Sequence, residues 1–224
     1  MTTKIMVPFF IISPKTYLYG EELLELAKIS DEYAGKINNS IFFSAPPTEL
    51  ANIVRHTKNM IITAQASDGF EQGRGMGRTT LKAIKALGVK ATFINHMENQ
   101  LTLTKIVETI REAKKTGIIS IACANSVEEA RALAVLSPDI ILCEPHNLIG
   151  TGMTSSDDYV ANTITAIKEI NPSILVMEGA GIRTGEDVSK LINLGADGTG
   201  ISSGLIKTDD RNKLIENLIK GLTK

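Results

Sequence analysis

Eight short apolar runs, rich in β-branched residues, recur at regular intervals along the chain and limit its folding choices more than any other feature. They are Ile5–Ile12, Ile41–Ser44, Met60–Ala64, Ala91–Asn95, Ile118–Ala122, Ile140–Cys143, Ile174–Met177 and Gly198–Ile201. The last is the weakest, because it contains two glycines. Each run is continuously apolar rather than alternating, the pattern of parallel strands covered on both faces. Helical periodicity fills the gaps. Leu103, Ile106, Val107, Ile110 and Ala113 fall on one face, as do Leu214, Ile215, Leu218, Ile219 and Leu222. Ser126 with Glu129 reads as a capping box, and Thr184 with Asp187 as a similar start. Gly117 and Gly195 stand where helices should stop before the next strand.

Eight strand–helix units in 224 residues leave about 28 residues per unit, close to the minimum a βαβ crossover needs. Alternating β and α with right-handed crossovers gives a closed barrel or an open doubly wound sheet, and eight units select the α/β class (β/α)8 barrel. No Pro/Ser-rich linker divides the chain, so residues 1–224 read as a single barrel domain. A chain of this length buries most of its apolar surface without disulfide or metal staples. Cys123 and Cys143 accordingly read as small buried hydrophobes of a reducing compartment, and no Cys/His cluster has metal-ligand spacing. A net charge of -1 argues against nucleic acid or an anionic membrane as partner. The apolar run before Ser13 is too short to cross a bilayer and reads as a strand, which leads us to expect a cytoplasmic protein.

In a (β/α)8 barrel the chemistry sits where the strands end. Lys15 lies in Ser13-Pro14-Lys15-Thr16-Tyr17 after the first run, and His96 with Glu98 after the fourth. Glu144 follows the sixth and leads into Gly150-Thr151-Gly152. Gly179-Ala180-Gly181 and Ser202-Ser203-Gly204 follow the seventh and eighth. A carboxylate such as Glu144 removes a carbon-bound proton once its surroundings are dry. An imidazole such as His96 polarises a carbonyl or shuttles protons between neighbouring oxygens. Lys15 offsets the charge of an enediolate and of a phosphate. Glycine turns let backbone N–H groups approach phosphate oxygens. Taken singly, a strand-end lysine or glutamate is more often a solvated loop charge, a histidine a structural residue, and a glycine a turn former. Their convergence on one barrel face favours the functional reading.

These residues resemble the triosephosphate isomerase family, in particular its compact archaeal form, over nearly the whole chain. The resemblance is carried by Lys15-Thr16-Tyr17, Ala45-Pro46-Pro47, Ala64-Gln65, Ile94-Asn95-His96 with Glu98, and Ile121-Ala122-Cys123. Glu144-Pro145 with Leu148-Ile149-Gly150-Thr151-Gly152, Gly179-Ala180-Gly181-Ile182 and Ser203-Gly204 complete it. It implies Glu144 as base, His96 as electrophile, Lys15 as electrostatic stabiliser and Glu98 as a buried glutamate orienting the lysine. It further implies Ser13 at the substrate, and phosphate contacts from Gly150, Gly181, Ser203 and Gly204. The family uses no metal or organic cofactor, acts on a small phosphorylated sugar, and assembles as homodimers or homotetramers.

Departures from the family pattern cluster at the reactive end. Ser13 stands where the family has asparagine, Met97 where it has serine after the histidine, and Met76 near an interface threonine; His146 and Asn147 replace Pro-Glu. Changes there are what a change of sugar would look like, but Lys15, His96, Glu98 and Glu144 are all present, and isomerisation of triose phosphates is the leading expectation. A related ketose phosphate, such as a tetrulose phosphate, and a non-catalytic sugar-phosphate-binding barrel are the alternatives. Away from this face, His56 reads as a solvated helix residue, Arg183 and Lys207 as surface charge near the phosphate side, and Asp157-Asp158 as a helix start.

Overall fold

The structure is a computed structural model that describes residues 3–145, 155–179 and 181–223. Eight parallel strands close into a barrel in chain order: β1 (Phe9–Ile12), β2 (Ile41–Ala45), β3 (Ile61–Ala64), β4 (Ala91–Ile94), β5 (Ile119–Ala124), β6 (Ile140–Cys143), β7 (Leu175–Met177) and β8 (Gly198–Ile201). The seam is made by β1 and β8, with Phe9 opposite Gly198 and Ile12 opposite Ile201. Helices follow each strand: α1 (Gly20–Ala34), α2 (Leu50–His56), α3 (Leu81–Leu87), α4 (Leu103–Thr116), α5 (Val127–Ala134), α6 (Asp157–Lys168), α7 (Gly185–Asn193) and α8 (Arg211–Lys220). The chain is thus a single (β/α)8 barrel.

Strand alternation divides the core into two layers. Phe9, Ile11, Phe42, Phe93, Ile121 and Leu142 fill the barrel interior, with the Phe9 and Phe42 rings edge-to-face at 5.4 Å. Phe10, Ile12, Phe43, Ile141 and Val176 face outward beneath the helices. The glycines that weaken β8 as a sequence signal have a steric purpose. A Cβ on Gly198 would lie 2.4 Å from the Phe9 ring, and one on Gly200 would lie 2.6 Å from the Ile11 carbonyl oxygen. The interior aromatic at the seam therefore requires an inward position without a side chain on the strand beside it.

Several expectations hold and a few shift. Thr184 and Asp187 form the reciprocal capping box. Ser126 caps α5 through Glu129 N–H, but the Glu129 carboxylate accepts from Asn125 N–H and Nδ2 instead of closing the box. Gly117 (φ 69°) and Gly195 (φ 100°) take the left-handed conformation that ends α4 and follows α7. The first strand begins at Phe9 rather than Ile5, because Pro8 has no N–H to give a ladder; Met6 and Val7 are exposed. On α4 the buried stripe is Ile106, Thr109, Ile110 and Ala113, while Leu103 at the first position is 69% exposed. Both cysteines are free and buried, and burial pushes the Cys143 thiol up to about 12. His56 is exposed on α2, its Nδ1 2.8 Å from Asn52 O. Among the described residues no helix is long and apolar enough to cross a membrane.

Candidate active site

A cavity of about 1020 Å3 opens at the C-terminal ends of the strands. Ser13, Lys15, His96, Glu98, Glu144, Gly181, Ser203 and Gly204 all line it, so residues from five strand ends meet in one space. Of the expected site residues, Gly150 lies outside the described residues, as do His146 and Asn147.

Lys15 adopts φ 48°, a left-handed conformation uncommon for a residue with a Cβ. Its backbone is held from the end of β3, where the Gln65 side-chain amide donates to Lys15 O at 2.7 Å. Its ammonium donates to Glu98 Oε1 at 2.7 Å. The pairing fits the expected orienting role of Glu98, but its burial does not. The side chain is 53% exposed in the single chain, because it stands on a 3-10 turn (Met97–Asn99) at the rim.

His96 reaches the cavity because the chain turns sharply after β4. Asn95 takes φ 62°, its side-chain Nδ2 donates to Cys123 O on β5, and its side-chain Oδ1 accepts from Leu101 N–H. The turn that follows is capped by His96 itself, whose Nδ1 accepts from Glu98 N–H at 3.2 Å. A ring nitrogen that accepts carries no proton, so the neutral ring holds its proton on Nε2 and can donate it into the cavity. Burial depresses the His96 pKa, the Lys15 ammonium depresses it further, and Glu98 opposes them. The ring is thereby kept neutral.

Glu144 follows Cys143 at the end of β6, with its N–H bonded to Ala124 O. Alternation from Leu142 turns its side chain inward. Burial raises its pKa to about 6, with Lys15 pulling down and Glu98 pushing up. A carboxylate of that basicity is mostly ionised at neutral pH yet a stronger base than an exposed glutamate. Space for it comes from Gly179, where a Cβ would sit 2.7 Å from Glu144 Oε1. Gly179→Ala is therefore expected to displace the carboxylate. Misplacement on that scale costs about 10²-fold in rate, read as a fall in kcat with little change in Tm.

The opposite wall suits an anion. Gly181 has φ 76°, a conformation that favours glycine and presents backbone rather than side chain. Ser203 opens a 3-10 turn (Ser203–Leu205) whose first N–H groups have no partner within the turn. Arg183 and Lys207, read from the sequence as surface charge, stand exposed on the rim of this wall.

Ser202 and Glu178 have no role of their own in the sequence reading. The Ser202 hydroxyl lines the cavity, buried and without a partner among the described residues. It belongs to the Ser-Ser-Gly triplet, which was the available signal. Glu178 follows the apolar β7 run. It is 1% exposed, and neither carboxyl oxygen has a partner among the described residues. Alternation from Met177 turns it outward, toward the layer holding Cys143 and Tyr159. Burial, with Glu144 nearby, raises its pKa to about 9, so it is a neutral acid at pH 7.

A lysine, a neutral histidine and a basic glutamate thus face a cradle of backbone N–H groups. The triosephosphate isomerase family model matches residues 8–218. The chain belongs to the triosephosphate isomerase family. It is 37% identical to the triosephosphate isomerase of Methanothermus fervidus over 221 residues, covering 95% of this chain and 97% of that protein. To that of Methanocaldococcus jannaschii it is 37% identical over 215 residues, 94% and 98% of the two chains. The triosephosphate isomerase of Methanosarcina barkeri is 35% identical over 225 residues, 96% and 98%. These full-length relationships support an isomerase, and they give no support to a tetrulose phosphate isomerase or a non-catalytic barrel.

Proposed function

We propose that this chain interconverts glyceraldehyde 3-phosphate and dihydroxyacetone phosphate through an enediolate, with Glu144 as base, His96 as electrophile and Lys15 as electrostatic stabiliser. The observation that carries the reading is the His96 hydrogen bond from Glu98 N–H, which leaves the proton on Nε2 facing a cavity shared with Glu144 and Lys15. Glu144 takes the proton from C2 of the aldose, and the electron pair moves into the C1–C2 bond. His96 donates its Nε2 proton to the carbonyl oxygen and recovers one from the neighbouring hydroxyl. Glu144 then returns its proton to C1, which completes the ketose with no net change of atoms or charge. A glutamate base opposite a neutral histidine is the known pairing of triosephosphate isomerases. Here burial and Lys15 keep the ring neutral. Lys15 stabilises the negative oxygen in a site of low dielectric, where such a charge counts for more than in water.

Ser13 bonds the sugar at the reactive end, and Gly181, Ser203 and Gly204, with Gly150 from the segment after Glu144, bind the phosphate. Glu98 orients Lys15. Residues 1–224 act as one domain, assemble as a homodimer or homotetramer, and work in the cytoplasm. The exposure of Glu98 and of Met76 in the single chain supports assembly, because a partner would cover both. A coupled assay on glyceraldehyde 3-phosphate tests the activity, with Glu144→Asp purified in parallel to expose host contamination. Turnover equal in both preparations would sink the proposal.

A further inference from the structure

Ser13 and Ser44 lie side by side at the floor of the cavity. The β1–β2 register sets Ile12 opposite Phe43, so the next pair is Ser13 opposite Ser44. Ile11 and Phe42, one step before that register pair, both point into the barrel, and alternation turns the two serines inward as well. Ser13 lines the cavity, whereas Ser44 is completely buried beneath it. The Ser44 hydroxyl donates to Ser13 Oγ at 2.8 Å.

A hydroxyl carries one proton and accepts on its lone pairs, and its proton swings about the Cβ–Oγ bond until a neighbour settles its direction. Ser44 spends its only proton on Ser13. The Ser13 oxygen is therefore an acceptor on its buried side, and its own proton is left for the side that faces the cavity. A side-chain amide would carry its donors in fixed positions. A serine has no such built-in polarity and takes it from what lies behind it.

We propose that Ser44, though it touches no substrate, is a positioning residue that fixes the Ser13 hydroxyl as a donor toward the sugar oxygen at the reactive end. The proposal rests on Ser13 being a substrate contact. The pair replaces one long donor by a two-hydroxyl relay, each member strengthening the other's polarity.

A double-mutant cycle on kcat/KM for glyceraldehyde 3-phosphate tests this. Ser13→Ala is expected to lower kcat/KM about 10-fold and Ser44→Ala about 3- to 10-fold, the range of one modest hydrogen bond. The Ser44→Ala loss should fall in kcat, with KM changed less than about 2-fold, and should vanish in the Ser13→Ala background. Ser44→Thr, which keeps the hydroxyl, should recover most of the activity. Thermal melts of all four proteins identify any that fold poorly, and the cycle is then read with Ser44→Cys, a weaker donor, in place of alanine. An equal Ser44→Ala loss with and without the Ser13 hydroxyl would overturn the positioning role while leaving Ser13 as a contact. Full activity of Ser13→Ala, with Glu144→Asp still impaired, would overturn the Ser13 contact itself and the positioning role with it.

Discussion

Glu144→Gln is expected to lower kcat on glyceraldehyde 3-phosphate by about 10³-fold, within the range general-base catalysis supplies. The amide matches the carboxylate in shape but cannot take a proton from carbon. In the proposed site the phosphate lies on the far wall of Gly181, Ser203 and Gly204, away from Glu144, so KM should change far less than kcat. In the parent protein kcat/KM should rise with pH through about 6, as Glu144 ionises. The same substitution should stabilise the fold. Glu144 has a folded pKa raised above its unfolded value, so its contribution is fully present below the unfolded pKa and is lost as pH rises through about 6. Above that pH, removing the charge should raise Tm. A variant that loses stability, or one that keeps kcat, would contradict the assigned role.

A larger stability effect is expected from Glu178→Gln. The folded protein holds Glu178 protonated up to about pH 9, while an unfolded chain releases that proton near the ordinary glutamate value. Folding therefore takes up a proton between those limits. Stability from this group is complete below about pH 4.5 and declines steadily until about pH 9. At pH 7 the penalty approaches about 3 kcal/mol as a ceiling. Glutamine removes the titration and mimics the neutral acid in size. The Tm difference between variant and parent should be near zero at pH 4.5 and widen toward pH 9, by about 5–10 °C at pH 7. The carboxamide brings polar atoms of its own into an apolar layer, which offsets part of the gain at every pH alike. The widening with pH is thus the decisive quantity, and a flat difference would show that Glu178 is ionised or paired in solution.

The barrel was legible because continuous apolar runs leave few other ways to bury both faces of a strand. Where the reading slipped, an outside constraint overrode local pattern. Ile5 extends the apolar run, but Pro8 delays the ladder. Leu103 has the right period for α4, yet its place in the first turn lies beyond the reach of the barrel. Lys15, His96 and Glu144 were legible through their positions after apolar runs, since the fold sends every strand end to one face. Glu178 has such a position too and was missed, because alternation sends it outward, where it is buried near Cys143 and Tyr159. Ser44 was hidden differently. It reads as the last residue of an apolar run, and only the β1–β2 register sets it against Ser13. The exposure of Glu98 follows from the rim position of its turn, which no local pattern encodes.

The seam between β1 and β8 has a consequence for how the protein is made. A ribosome delivers β1 first and β8 last, and the two cannot pair until nearly all of the chain has left the exit tunnel. Until then the free edge of β1 stays open to any strand that reaches it. The cavity shares that schedule, since Lys15 and Ser13 wait on one side of the seam for Ser203 and Gly204 on the other. Nascent chains halted before Gly198 should therefore bind no sugar phosphate and should depend on chaperones for solubility, however complete their helices are.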